Sequence, residues 1–262
     1  MFLRHGRNLN FMKRSSITFF AALMSLGTVA CGFAGQRPFA YSYDVMTTPP
    51  GRVEFENWTT WKAHKGSDSS YHKFEFKHEV EFGLTEHLQL SLYPATWEIV
   101  DNDEGSETAF KSANVSLVYN LTDPTADPLG SAVYFETGVG PEVYFIEGKL
   151  LLQKNVGNVS FVYNFVLEAE WEGDDYSERV GEIKNTFGIS YQINPSLSVG
   201  IEGLHEVGFE NWEEAGDNVF YLGPNISYRK GDFFATLAPL VQLTGLDDEA
   251  DFSTRLLLGF TF

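Results

Sequence analysis

From Gly51 to its last residue the chain follows one rule: apolar side chains recur at every second position, with polar ones between. In "HKFEFKHEVEF", Phe74, Phe76, Val80 and Phe82 share one side while Lys73, Glu75, Lys77, Glu79 and Glu81 share the other. In "NVSFVYNFVLEAEW", the side from Val159 to Trp171 opposes one carrying Ser160, Asn164, Glu168 and Glu170. A period of two specifies strands with one apolar and one polar face. Further segments begin near Gly51, Leu88, Ser112, Ala132, Phe145, Gly181, Ser196, Asn218, Asp232 and Asp251, which makes about twelve strands. No stretch supplies the roughly 18 uninterrupted apolar residues of a spanning helix, so a membrane would be crossed by strands closed into a barrel. The expected fold is therefore all-β, an up-and-down antiparallel transmembrane β-barrel over residues 51–262.

The connections sort by parity. "DNDEGSE" from Asp101, "EGDDYSE" from Glu172, "FENWEEAGDN" from Phe209 and "LDDEAD" from Leu246 are long and acidic, whereas "LTE" at Leu84, "VGN" at Val156, "NPS" at Asn194 and "RKGD" at Arg229 are tight. A membrane barrel has two unlike ends and sorts its loops in this way. The stretch "LTDPTADPLG" from Leu121 is long for its class, and the one near Pro141 is short for its class. Tyr119, Tyr191, Tyr228 and Phe262 fall at the lower ends of strands and Trp61 and Trp171 near the upper ends, as two interfacial belts require. In the closing strand "DFSTRLLLGFTF", Leu256, Leu258, Phe260 and Phe262 are expected to face lipid, with Arg255, Gly259 and Thr261 inside.

The blocks "PPGRVEFENWTTWK", "VEFGLTEHLQLSLY", "DPLGSAVYFETGVGPEV", "EGKLLLQKNVG" and "YLGPNISY" together resemble a family of outer-membrane β-barrels of Gram-negative bacteria that has no known function. That resemblance implies fold and location, the bacterial outer membrane, and lends no catalytic or binding residue. The C-terminal phenylalanine, with apolar residues alternating before it, is similar to the signal read by the outer-membrane assembly machinery, a first expected partner.

Residues 1–34 read as an export signal: Lys13 and Arg14 precede an apolar run from Ile17 to Leu26, then small residues up to Ala34, with Met12 an alternative start. Cys31 falls at this junction. Residues 35–50 are expected to be a short periplasmic segment. Without Arg4, Arg7, Lys13 and Arg14 the remaining chain holds 14 basic against 36 acidic residues, a net charge of −22. So acidic a surface excludes nucleic acid, whose phosphates must be met by basic groups. It leaves lipid and lipopolysaccharide as surroundings and a small cationic or neutral solute as cargo.

Projecting the alternation inward puts Glu54, Glu56, Glu75, Glu79, Glu81, Glu136, Glu147, Glu168, Glu170, Glu182, Glu202 and Glu206 toward the lumen, with Lys73, Lys77, Lys149, Lys184 and Arg255 among them. An open lumen lined this way concentrates cations. A narrow one is plugged by ion pairs instead, and about twelve strands lies between the filled and the open regimes. The leading reading is a narrow passive pore; the alternative is a plugged barrel acting as a structural or interaction protein through its acidic loops.

Enzymatic parts do not converge. With Phe82 paired to Leu88 across the short turn, His78 faces Leu92 while Ser91 points the other way, so no nucleophile meets it. "HEVGF" at His205 has Phe209 where a zinc motif needs its second histidine. His64, His72 and His87 lie on separate connections or strand ends. "DNDEGSE" departs from a calcium loop at Gly105 and Ser112. The sequence thus predicts no cofactor, no resident metal and no catalysis, with a barrel hydrolase, a lipase or protease, ranked third behind the pore and the plugged barrel.

Overall fold

The computed structural model describes residues 37–103 and 105–262. Residues 1–34, the expected export signal with Cys31, lie outside them. Twelve strands form the wall: β1 (Val53–Lys65), β2 (His72–Gly83), β3 (Leu88–Asn102), β4 (Gly105–Thr122), β5 (Gly130–Val139), β6 (Val143–Val156), β7 (Val159–Glu172), β8 (Glu178–Asn194), β9 (Leu197–Glu210), β11 (Val219–Lys230), β12 (Phe233–Gln242) and β13 (Ala250–Thr261). A two-residue strand, β10 (Glu214–Ala215), folds back on β9 outside that wall. Every neighbour is antiparallel. The last strand pairs with the first, Glu54 opposite Thr261 and Glu56 opposite Gly259, so the barrel closes and no edge is left open.

Eleven of these strands begin within three residues of the positions the alternation predicts. The exception is β4, which starts at Gly105 instead of near Ser112. Consequently "DNDEGSE" is not a long loop: Asp101 and Asn102 belong to β3, and Gly105 already belongs to β4. These strands continue past the apolar part of the wall, where no alternating hydrophobicity marks them. At the opposite end two connections span only residues 157–158 and 231–232, where Gly157 (φ 58°) and Gly231 (φ 62°) supply the left-handed backbone of a tight hairpin.

The outward face is apolar. Phe55, Val115, Leu117, Val133, Phe135, Leu150, Phe161, Leu167, Ile189, Ile201 and Ile226 are all exposed around the wall. Water would penalise a hydrophobic girdle of this extent, whereas lipid would not. Tyr119, Tyr191, Tyr228 and Phe262 stand exposed at the short-turn end, with Trp61 exposed toward the other. Leu256 and Phe260 also face out, while Leu257, Gly259 and Thr261 are buried inside.

The segment before β1 departs from expectation. Residues 37–48 do not hang below the barrel as a periplasmic extension but run through its interior, with Phe39, Ala40, Tyr41, Ser42, Val45 and Thr48 buried. Tyr41 joins Leu204, Tyr221 and Leu240 in one apolar cluster, and Val45 joins Val118, Tyr134 and Leu151 in another. The barrel has acquired a small core built around its own N-terminal strap.

Candidate functional site

The strap needs partners for its backbone, because a buried N–H or C=O left unpaired is costly. Inward-facing side chains supply them. Glu202 on β9 accepts from three consecutive amides, Ala40 N and Tyr41 N at 2.7 Å and Ser42 N at 3.1 Å. Asn164 on β7 accepts from Tyr43 N (2.7 Å) and donates to Tyr43 O (2.9 Å), as a neighbouring strand would. Gln153 accepts from Val45 N, Asn120 donates to Val45 O, and Gln89 accepts from Thr48 N. Asn225 donates to Pro38 O, and Ser227 and Thr236 both donate to Arg37 O.

Register explains the role of Arg37. Glu54 lies opposite Glu81, and Glu56 opposite Glu79, so β1 and β2 place like charges against each other on the inside. Arg37 enters between them, donating to both carboxylate oxygens of Glu56 at 2.7 Å and lying 3.5 Å from Glu81. Burial alone would lower the affinity of this guanidinium for its proton, but Glu56 and Glu81 outweigh it and hold the value well above the ordinary one. Thr48 and Thr261 donate to Glu81 and Glu54, and Tyr93 donates to Glu79 at 2.6 Å. Glu54, Glu56 and Glu81 also lie close enough to hold a cation, a place Arg37 takes.

Above the strap the lining changes character. A cavity of about 490 Å³ has Tyr41, Tyr43 and Trp58 on its floor and charged residues on its walls. Glu136, Glu147, Glu168 and Glu182 are direct neighbours across β5, β6, β7 and β8, a continuous row of four carboxylates. Lysines interleave: Lys77 reaches Glu136 at 2.9 Å, Lys149 reaches Glu147 at 2.8 Å, and Lys184 reaches Glu182 at 2.6 Å and Glu168 at 3.4 Å. Lys149 also sits 4.2 Å from the ring centres of both Tyr43 and Tyr134, and Arg255 lies over Tyr41 at 4.3 Å. Lys73 and Glu75 pair at 3.1 Å on the facing wall, and Glu170 and Glu206 also line the cavity.

The structure therefore brings Lys73, Glu75, Lys77, Glu136, Glu147, Lys149, Glu168, Glu170, Lys184, Glu206 and Arg255 around one cavity. Glu54, Glu56, Glu79, Glu81 and Glu202 are buried below, and the strap binds Glu56, Glu81 and Glu202 directly. Glu182 and Glu206 border a rim cavity of about 430 Å³ that also holds Glu210, Asp217, Asp247, Asp248 and Glu249, with no basic residue in its lining. Three lining charges escaped the sequence reading: Glu98 follows bulges between Tyr93 and Trp97 that shift β3 by one residue, Lys111 lies before the expected start of β4, and Glu172 ends β7. Lys62, which shares the inward parity of Glu54 and Glu56, was missed too and pairs with Glu75 at 3.6 Å.

The histidines need correction in detail. Phe82 pairs with Leu90, and a bulge between His78 and Val80 puts His78 opposite Ala95, not Leu92. His78 contacts Asn57 (2.7 Å) and Trp97 (3.1 Å), and Ser91 is buried inside. His64 and His72 are not dispersed; they flank one connection with ring centres 5.4 Å apart.

A family model describing a family of unknown function, DUF6662, matches residues 32–256. The chain belongs to the DUF6662 family. No curated protein matches it. Among solved structures, this DUF6662 chain is similar to the COG4313 outer membrane channel from Pseudomonas putida F1, with 14% identity over 84% of this chain and 98% of that one and a TM-score of 0.57. It is also similar to the NanC porin, with 12% identity over 79% of this chain and 98% of that one and a TM-score of 0.52. At these identities the likeness establishes the fold, that of outer-membrane β-barrels.

Proposed function

We propose that this DUF6662 protein is a narrow outer-membrane channel that admits small solutes from its long-connection end and favours cations. The observation that carries the reading is the 490 Å³ cavity inside a closed barrel, lined by charges that apolar packing would have excluded. Its walls carry Glu75, Glu98, Glu136, Glu147, Glu168, Glu170, Glu172 and Glu206 against Lys73, Lys77, Lys111, Lys149, Lys184 and Arg255. The small acidic excess there is reinforced by the wholly acidic rim cavity, and such a mouth raises the local concentration of cations. The similar folds of a channel and a porin support the same reading.

The test is recording from the purified chain in planar bilayers under a salt gradient. Stepwise conductance with a cation-selective reversal potential is expected, and loss of that selectivity when Glu75, Glu168 and Glu170 are changed together to glutamine. Selectivity unchanged by the triple substitution contradicts the acidic lining. A specific observation favours a second reading, a permanently sealed barrel: the strap fills the lower lumen, with Phe39, Tyr41 and Val45 buried in it.

A further inference from the structure

The strap is held in an unusual way. Most of its hydrogen bonds run between inward side chains and its main chain: three amides to Glu202, both polar groups of Tyr43 to Asn164, and Val45 shared between Gln153 and Asn120. No wall strand extends its ladder to this segment; instead, side-chain carboxylates and amides act as an artificial neighbouring strand. Such contacts read a peptide backbone. Each such hydrogen bond can be exchanged for one to water when the segment leaves. Permanent sealing would be achieved more simply by apolar side chains from the wall itself.

Side-chain contacts then fix which segment fits. Phe39 occupies space that Gly188 leaves open: a Cβ there would stand 2.5 Å from the Phe39 ring. Arg37 satisfies the carboxylates of Glu56 and Glu81, which oppose like charges in the wall and need a cation whenever the strap is absent. An empty lower lumen thus becomes a carboxylate-rich passage, continuous in charge with the cavity above.

From this geometry we infer that the lower lumen is a binding site for an extended peptide backbone, occupied in cis by residues 37–48, and that the strap is a displaceable plug whose release opens the channel. The inference rests on the channel reading and deepens it by naming what closes the passage. Glu202 is the positioning residue of the plug, since it alone holds three consecutive amides.

The experiment uses the full chain carrying Glu202→Ala, compared with the wild type in planar bilayers and in chymotrypsin digestion. Heat-modifiable electrophoretic mobility reports whether the wall is folded. The wild type is expected to resist cleavage at Phe39, Tyr41 and Tyr43 and to conduct weakly. The variant should be cut there and should show open time or conductance raised about tenfold. If Glu202→Ala disrupts the wall, Asn164→Ala, which removes both contacts to Tyr43, serves in its place. Equal conductance in both proteins with a cleavable strap in the variant overturns the plug and leaves the channel standing. No conductance from either, although the strap is cleaved, overturns the plug and the channel reading together. A strap equally resistant in both overturns the role of Glu202 and the reversibility drawn from it.

Discussion

The two halves of the lumen solve the same problem in opposite ways. Both are built from inward positions of the same twelve strands, and both contain buried or partly buried carboxylates. In the lower half three of these groups depend on another segment of the chain: Arg37, the strap amides and the Thr48 hydroxyl satisfy Glu56, Glu202 and Glu81, while Thr261 and Tyr93 of the wall serve Glu54 and Glu79. In the upper half they are neutralised within the wall, by lysines on the same, neighbouring or facing strands, and a cavity of about 490 Å³ remains. A charge satisfied from within the wall keeps its partner whatever else moves. A charge satisfied by the strap does not, so the lower half depends on occupancy and the upper half does not.

Breaking that dependence should have its largest effect at Arg37. Arg37→Ala leaves Glu56 and Glu81 buried without their cation, and removing one partner of a buried pair costs about 3–5 kcal/mol. Urea unfolding followed by loss of heat-modifiable mobility measures it. A matched cut in the upper half, Lys184→Ala, should cost less, because its carboxylates are partly exposed and Lys149 lies nearby.

Glycines sharpen the contrast further. Gly188→Val drives a branched side chain into the Phe39 ring, so it should loosen the strap and lower stability by about 1–3 kcal/mol. Gly208→Val, on the rim cavity with open space at its Cβ, should change stability by less than about 0.5 kcal/mol. Equal losses would mean that the lower half is no tighter than the upper.

A further contrast concerns pH. Burial raises the Asp44 carboxyl to about 6 against the opposing pull of Arg37. A carboxyl whose value rises on docking stabilises the docked state fully below its ordinary value near 4, and that contribution is lost as pH climbs through 6. The strap should therefore become more sensitive to chymotrypsin between pH 4.5 and about 7, and Asp44→Asn should flatten that part of the profile. An identical profile in the substituted chain would remove Asp44 from the account.

Much of this architecture could be read in the sequence because a half-buried wall imposes strict alternation. The positions of β2 and β7 follow from "HKFEFKHEVEF" and "NVSFVYNFVLEAEW" alone, and so does the inward placement of Glu75 and Glu168. Legibility failed where alternation stops or slips. The start of β4 lies beyond the apolar part of the wall, where Ser106 and Glu107 carry no face-specific signal. Bulges in β3 reset the phase, which hid Glu98 and shifted the partner of His78. The strap was missed for a different reason. Its own period of two, Phe39, Tyr41, Tyr43 and Val45, was present in "RPFAYSYDV" but belongs to a segment outside the wall. Inward amides at Gln89, Asn120, Gln153, Asn164 and Asn225 were the complementary signal, since polar uncharged groups lining a lumen need a partner that the wall does not provide.

The divided lumen can be tested by water accessibility at two inward positions of β7 and β8. In a chain with Cys31 replaced by serine, Glu172→Cys lies on the upper cavity and Ser190→Cys is buried in the lower half. A charged, water-soluble thiol reagent should modify position 172 rapidly and leave position 190 unmodified while the strap is in place. Rapid modification at both positions would contradict the filled lower lumen and, with it, the division on which this account depends.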